Sequence, residues 1–227
     1  MKVLLSVVLF IIAGCSTLPN SKQIKTEQGS FTYYLAGVNK PSVIFESGLG
    51  DDMTSWESVI NQVEDVAEVF TYNRAGFNGS KSKNITRNGE VIVNELRELL
   101  RSVNLNPPYV LVGHSLGGTY MELYAKTYPN EVAGVVLVDP NSSKFPIHCK
   151  QEKFDYCDPP SAMPQWATWF FPSAIEGEIK GFSTTHAQVN EIDSFPNVPL
   201  VVLSATHKQN EKVDQKRRQL YVKMHKD

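Results

Sequence analysis

The chain has 227 residues, with 22 Lys and Arg against 24 Asp and Glu and a formal charge of −2 at pH 7. That length suits one domain of ordinary α/β size with a sizeable core, and the near-neutral balance gives no reason to expect nucleic acid as a partner. Apolar residues make up 41% and aromatics 10%, a globular composition with no fixed-period repeat or low-complexity tract.

At the N-terminus, Met1-Lys2 carries one positive charge, Val3 to Ile12 is apolar apart from Ser6, and Ala13-Gly14 precede Cys15. The run is too short to span a bilayer comfortably and reads as a secretory signal. Its end, Ile12-Ala13-Gly14-Cys15, resembles a bacterial lipobox. The resemblance implies a signal peptide over 1–14, cleavage before Cys15, lipid attached to that cysteine, and a polar tether over 15–29. Ser16 after the cysteine resembles lipoproteins sorted to an outer membrane, which puts the protein at a bacterial cell envelope, held to the membrane through Cys15. An ordinary signal peptide with an incidental cysteine is the other reading. Export places Cys149 and Cys157 where disulfides persist, and at eight positions apart they could close a small loop. Two free thiols are the alternative; metal binding is weaker, because only His148 stands beside them.

Along the mature chain, Ser30 to Leu35 and Ser42 to Phe45 read as strands separated by the turn-like Gly37 to Pro41. A Gly-bearing loop, "ESGLGDDMTSW", follows. Glu68 to Tyr72 is the next strand, leading into "NRAGFNGS". From Glu90 to Val103, Ile92, Leu96, Leu99, Leu100 and Val103 recur at helical spacing among charged residues, which predicts an amphipathic helix. Pro107-Pro108 stops it. Tyr109 to Val112 is a continuously apolar strand, Thr119 to Tyr128 is helix-compatible up to Pro129, and Val132 to Val138 is another buried strand. The pattern then dissolves until the apolar run Val198 to Leu203, followed by a charged helix candidate over Asn210 to His225. Strands alternating with helices, several of them continuously apolar, predict a mostly parallel sheet covered by helices on both faces.

Within that frame, Gly113-His114-Ser115-Leu116-Gly117 sits between a buried strand and a helix. The G-x-S-x-G pattern alone is weak; in this position a sharp turn would expose the Ser115 hydroxyl above the sheet while the flanking glycines relieve crowding. The Leu116 N–H, at the helix start, can face a developing oxyanion. Together with "ESGLG", "TYNRAGFNGS", "VLVDP" and "VPLVVLSA" in register, this chain resembles the esterase-like members of the α/β-hydrolase fold superfamily from Ser30 to His225. The resemblance implies a core over 30–140 and 194–227 with an inserted cap over 141–193. It also implies that Ser115 attacks an acyl carbon, that the N–H of Leu49 joins that of Leu116 in the oxyanion hole, and that Arg74 braces the loop. Glu46-Ser47 departs from the His-Gly common in the family, and Glu46 is expected to face outward.

Two triad members remain. Asp139 ends an apolar strand and is the candidate acid, because a buried carboxylate there needs a partner such as an imidazole N–H; Asp-Pro is equally a common turn opener. For the base, the resemblance implies a loop after one further strand, in a Gly-His context. None follows Leu203, so the base, with the C-terminal strand and helix of the fold, is expected to be missing. His114, as the x of the elbow, is expected to point away from the oxyanion side. The segment Asn141 to Asp193 holds Phe145, Phe154, Tyr156, Trp166, Trp169, Phe170, Phe171 and Phe182. As a cap, it favours a small apolar acyl or alcohol group; Trp56 and Phe77 either line the pocket or pack. The expected activity is a serine hydrolase cleaving a carboxylic ester, thioester, lactone or amide without a cofactor or metal. The alternative is a non-catalytic envelope lipoprotein.

Overall fold

The computed structural model describes residues 17–84, 86–153, 173–205 and 219–220. Its strands are β1 (Lys22–Lys25), β2 (Gly29–Ala36), β3 (Ser42–Glu46), β4 (Glu68–Tyr72), β5 (Lys81–Ser82), β6 (Tyr109–His114), β7 (Val132–Val138) and β8 (Leu200–Leu203). They form one sheet in the order β1-β2-β4-β3-β6-β7-β8, with β5 paired to β2. From β4 through β8 the neighbours are parallel, while β2 runs antiparallel to both β1 and β4. This is the mostly parallel sheet expected from the apolar runs.

The helices are α1 (Glu57–Val63), α2 (Gly89–Ser102), α3 (Leu116–Thr127), α4 (Phe145–Gln151) and α5 (Ser173–Glu191). Alternation along the strands sends side chains to two cores. Ile44, Phe70 and Leu111 face one core with residues of α2, α3 and α5, while Val43, Phe45, Val69 and Val112 face the other with Trp56 and Ile60. Helices therefore cover both faces. Helix α2 starts at a cap: the Asn88 side chain accepts from the Val91 N–H at 3.1 Å, and Ile92, Leu96, Leu99 and Leu100 form its buried stripe. No helix among the described residues is long and apolar enough to cross a membrane.

Five of these elements lie where the sequence reading places none: β1, β5, α1, α4 and α5. The stretch read as a tether contributes β1, closed onto β2 by Thr26 N–H donating to Gly29 O at 2.7 Å, and Leu18 is buried in the second core. Its two lysines, one at each end and on opposite faces, give β1 the charge of a protected edge strand. Helix α5 lies in the segment where the pattern dissolves. Its buried residues include Glu178, Thr185 and His186 beside Ile179, Phe182 and Val189, so polar residues interrupt the apolar period that would have revealed it. The expected helix over 210–225 lies outside the described residues apart from 219–220.

At the far side of the sheet β8 pairs with β7, and Leu200, Val201 and Leu203 are each about half exposed. The two environments predict opposite mutational outcomes. Leu96→Ala removes a fully buried side chain and is expected to cost about 3 kcal/mol in urea unfolding. Val201→Lys is expected to leave stability within ~0.5 kcal/mol while raising the soluble fraction, read by light scattering.

Candidate active site

The turn from β6 to α3 puts Ser115 at φ 51°, ψ −119°. A non-glycine residue there is strained, and the surrounding backbone holds it. The Ser115 N–H donates to Val138 O at 3.0 Å, and Ser115 O accepts from Gly118 N–H and Asn141 N–H, each at 3.0 Å. The glycines are steric requirements. A Cβ on Gly113 would stand 2.6 Å from Gly117 O, and one on Gly117 would stand 2.5 Å from both Glu46 O and Ser47 O.

Those last contacts show that the start of α3 abuts the loop after β3. Arg74 holds this loop from behind: Nη1 donates to Glu46 Oε1 and Ser47 O, Nη2 to Gly48 O and Glu178 Oε2, and Nε to Glu178 Oε1, at 2.7–2.9 Å. The Tyr72 hydroxyl donates to Glu46 Oε2 at 2.9 Å. Glu46 is therefore buried, 1% exposed, and not the outward-facing residue expected; its partner stands 28 residues away. Burial pushes the Glu46 carboxyl up, with Arg74 and Tyr72 pulling it back. Burial also opposes the charge on Arg74, yet Glu178 and Glu46 hold the guanidinium well above its ordinary range. Leu49 is partly buried and packs against the larger core. Among the described residues, the N–H groups of Leu49 and Leu116 have no hydrogen-bond partner.

Asp139 lies one residue past β7 with φ 45°. Its N–H donates to Leu203 O at 2.6 Å and its Oδ1 accepts from Ala205 N–H at 3.3 Å, placing it between the ends of β7 and β8. Val138, the residue before it, accepts from Ser115. The candidate nucleophile and candidate acid thus sit on adjacent strand ends.

The histidines divide. His114 lies beside the loop after β3: its Nδ1 is 3.7 Å from Asp51 Oδ2 and would stand 3.0 Å from a Cβ on Gly48. His148 is on α4. His186 is 6% exposed, packs on Phe182 at 4.3 Å, and has no hydrogen-bond partner at Nε2. His207 and His225 lie outside the described residues. Among the described residues no imidazole is hydrogen-bonded to Ser115, and no group of three His, Cys, Asp or Glu side chains converges as a metal site.

Of the remaining expectations, Trp56 packs on Phe45 at 5.1 Å in the second core, and Phe77 is buried under the Arg74 guanidinium at 5.7 Å, so both are packing residues. Phe145 and Phe182 are buried, while Phe154, Tyr156, Trp166, Trp169, Phe170 and Phe171 lie outside the described residues. Cys149 is buried and disulfide-bonded; Cys15 and Cys157 lie outside the described residues. The residue that sequence reasoning missed is Glu178, 104 positions from Arg74 and in no recognisable motif.

Burial lowers the His186 imidazole from 6.5 to about 4. The unfolded chain therefore takes up the proton before the folded one does, so stability is full above about pH 6.5 and falls as pH drops towards 4. The loss amounts to up to ~3 kcal/mol. His186→Phe is expected to reduce the fall in stability between pH 7 and pH 5, measured by urea unfolding of both proteins at each pH.

Known proteins bear on this geometry. The sequence profile of the alpha/beta hydrolase fold matches residues 41–175. YqjL of Bacillus subtilis is 32% identical over 109 residues, covering 48% of this chain and 43% of YqjL. Monoacylglycerol lipase abhd6-B of Xenopus laevis is 25% identical over 116 residues, covering 49% of this chain and 34% of that protein. The matched segments thus span less than half of either relative. A solved alpha/beta hydrolase fold protein from Burkholderia ambifaria superposes with a TM-score of 0.57 at 14% identity, covering 80% of this chain and 78% of that one. With the profile spanning more than half its length and the parallel sheet, elbow and flanking helices in place, the chain belongs to the alpha/beta hydrolase fold family.

Proposed function

We propose that the chain is a serine hydrolase that cleaves a carboxylic ester or a related acyl bond, a thioester, lactone or amide, through an acyl-enzyme on Ser115. The observation that carries the reading is the strained Ser115 turn, φ 51°, lodged between a buried strand and a helix start. Strain in a non-glycine residue at such a turn persists where it exposes a reacting group. Ser115 Oγ attacks the acyl carbon, its proton passes to an imidazole, and the oxyanion is met by the N–H groups of Leu49 and Leu116. Asp139 is the acid that orients the base. Collapse of the intermediate expels the alcohol, thiol or amine, and water then releases the acid. The matched lipase among the relatives supports acyl chemistry. The aromatic content of the segment over 141–193 supports a small apolar acyl or alcohol group.

The second reading, a non-catalytic envelope lipoprotein, is favoured by one observation: no described imidazole is bonded to Ser115. A fluorophosphonate probe separates the two. With no base found for Ser115 among the described residues, the expected result is weak or no labelling of the chain; labelling at ordinary hydrolase speed, abolished by Ser115→Ala and slowed at least ~10³-fold by Asp139→Asn, establishes a competent triad. Loss of labelling in His207→Ala as well identifies His207 as the base. A folded protein that never labels favours the non-catalytic reading.

The proposal extends to the ends of the segment and the chain. Cys149 is paired with Cys157, pinning the start of the cap, and lipid on Cys15 holds the protein at the cell envelope, on the outer membrane. Processed protein with Cys15→Ala is expected to leave the membrane fraction; equal retention of the variant and the original discards the anchor.

A further inference from the structure

Resting on the Ser115 reading, we infer that Glu178 is a positioning residue that aims the Leu49 N–H into the oxyanion hole through Arg74. The peptide joining Gly48 to Leu49 is one rigid plane, and in a trans peptide its C=O and N–H point in opposite directions. Arg74 Nη2 grips Gly48 O at 2.7 Å. Whatever fixes that carbonyl therefore turns the Leu49 N–H away from the guanidinium, and no described residue receives it.

What fixes the guanidinium is Glu178. An arginine has five N–H donors, and here all are used: one on Glu46, one each on Ser47 O and Gly48 O, and two on the fork formed with Glu178. The fork defines the plane of the guanidinium and leaves Nη1 and the second Nη2 donor facing the loop. Glu178 is fully buried and belongs to α5, which packs on α2 and α3, so its carboxylate is rigidly backed. The gripped peptide is otherwise weakly held: Gly48 and Gly50 flank Leu49, Gly50 has φ +81°, and among the described residues, besides Arg74, only the Asp51 N–H, at 3.3 Å, is bonded to Gly48 O. The Ser47 hydroxyl donates to Asp52 O at 2.9 Å across the base of the loop but does not touch the Gly48–Leu49 peptide, and one long hydrogen bond between two glycines does not hold that plane by itself.

Glu178→Gln keeps shape and volume but removes the charge and one acceptor. The expected result is a 10- to 100-fold loss in the rate of ester turnover at Ser115, with KM changed less than about twofold, since the affected donor acts on the oxyanion and not on the bound ester. A trifluoromethyl ketone, which forms an oxyanion on Ser115, is expected to lose at least about tenfold in affinity, while the corresponding secondary alcohol loses none. Wild-type turnover and wild-type ketone affinity in a folded Glu178→Gln protein overturn the inference, as does a loss carried by KM. If that variant does not fold, Glu178→Asp, which retains charge and withdraws the fork, carries the same readouts. A wild-type chain that never turns over defeats the Ser115 reading alone. The loop is then read by amide hydrogen exchange, with Asp51 N–H protected in the wild type and released by Glu178→Gln; unchanged protection rejects the positioning role.

Discussion

The close backbone contact at Gly117 is the constraint on which the rest of the site depends. With carbonyl oxygens 2.5 Å from where a Cβ would stand, helix α3 and the loop after β3 meet with no side chain between them. That contact holds the elbow, with its strained Ser115, directly against the loop that carries Leu49. The parallel register of β3 with β6, Glu46 opposite Gly113, brings both elements to the same sheet end. The register of β6 with β7, His114 opposite Val138, adds Asp139. Sheet topology, and not local loop chemistry, assembles the site.

Behind the loop lies an unusual concentration of buried charge. Arg74 is shared between two carboxylates, and a second pair, Arg87 with Glu95, is buried nearby at 2.7 Å. Removing such groups from water costs several kcal/mol each, and a hydrophobic replacement would often be as stable. Directional grip on backbone carbonyls is something apolar packing cannot supply. Burial is the main cause of the raised Glu46 carboxyl, and the Glu178 charge, sharing the same guanidinium, adds a smaller push against its ionisation.

The parts of this protein that are legible in sequence are those decided by short-range pattern. Strands β3, β4, β6 and β7 are apolar runs bounded by turns, α2 carries a clear apolar stripe, and the elbow is spelled out in five residues. Helix α1 was unreadable because Ile60 is its only buried residue, and α5 because glutamate, threonine and histidine occupy its buried face. The orientation of Glu46 is hidden in the sequence for a related reason. It is decided by Arg74 on another element, and a polar residue carries no local mark of being buried against a partner.

The 104-residue span between Arg74 and Glu178 has a consequence for biosynthesis. A growing chain presents the β3 loop, the elbow and Asp139 well before the α5 glutamate has been made, and contacts of such sequence separation form late because the closing of long loops must precede them. Until α5 docks, the guanidinium has Glu46 alone, and the peptide plane after Gly48 is free to turn. Under the proposed function, the nascent protein would carry its elbow without a fixed oxyanion donor, and acyl chemistry would await completion of the fold and not the emergence of Ser115.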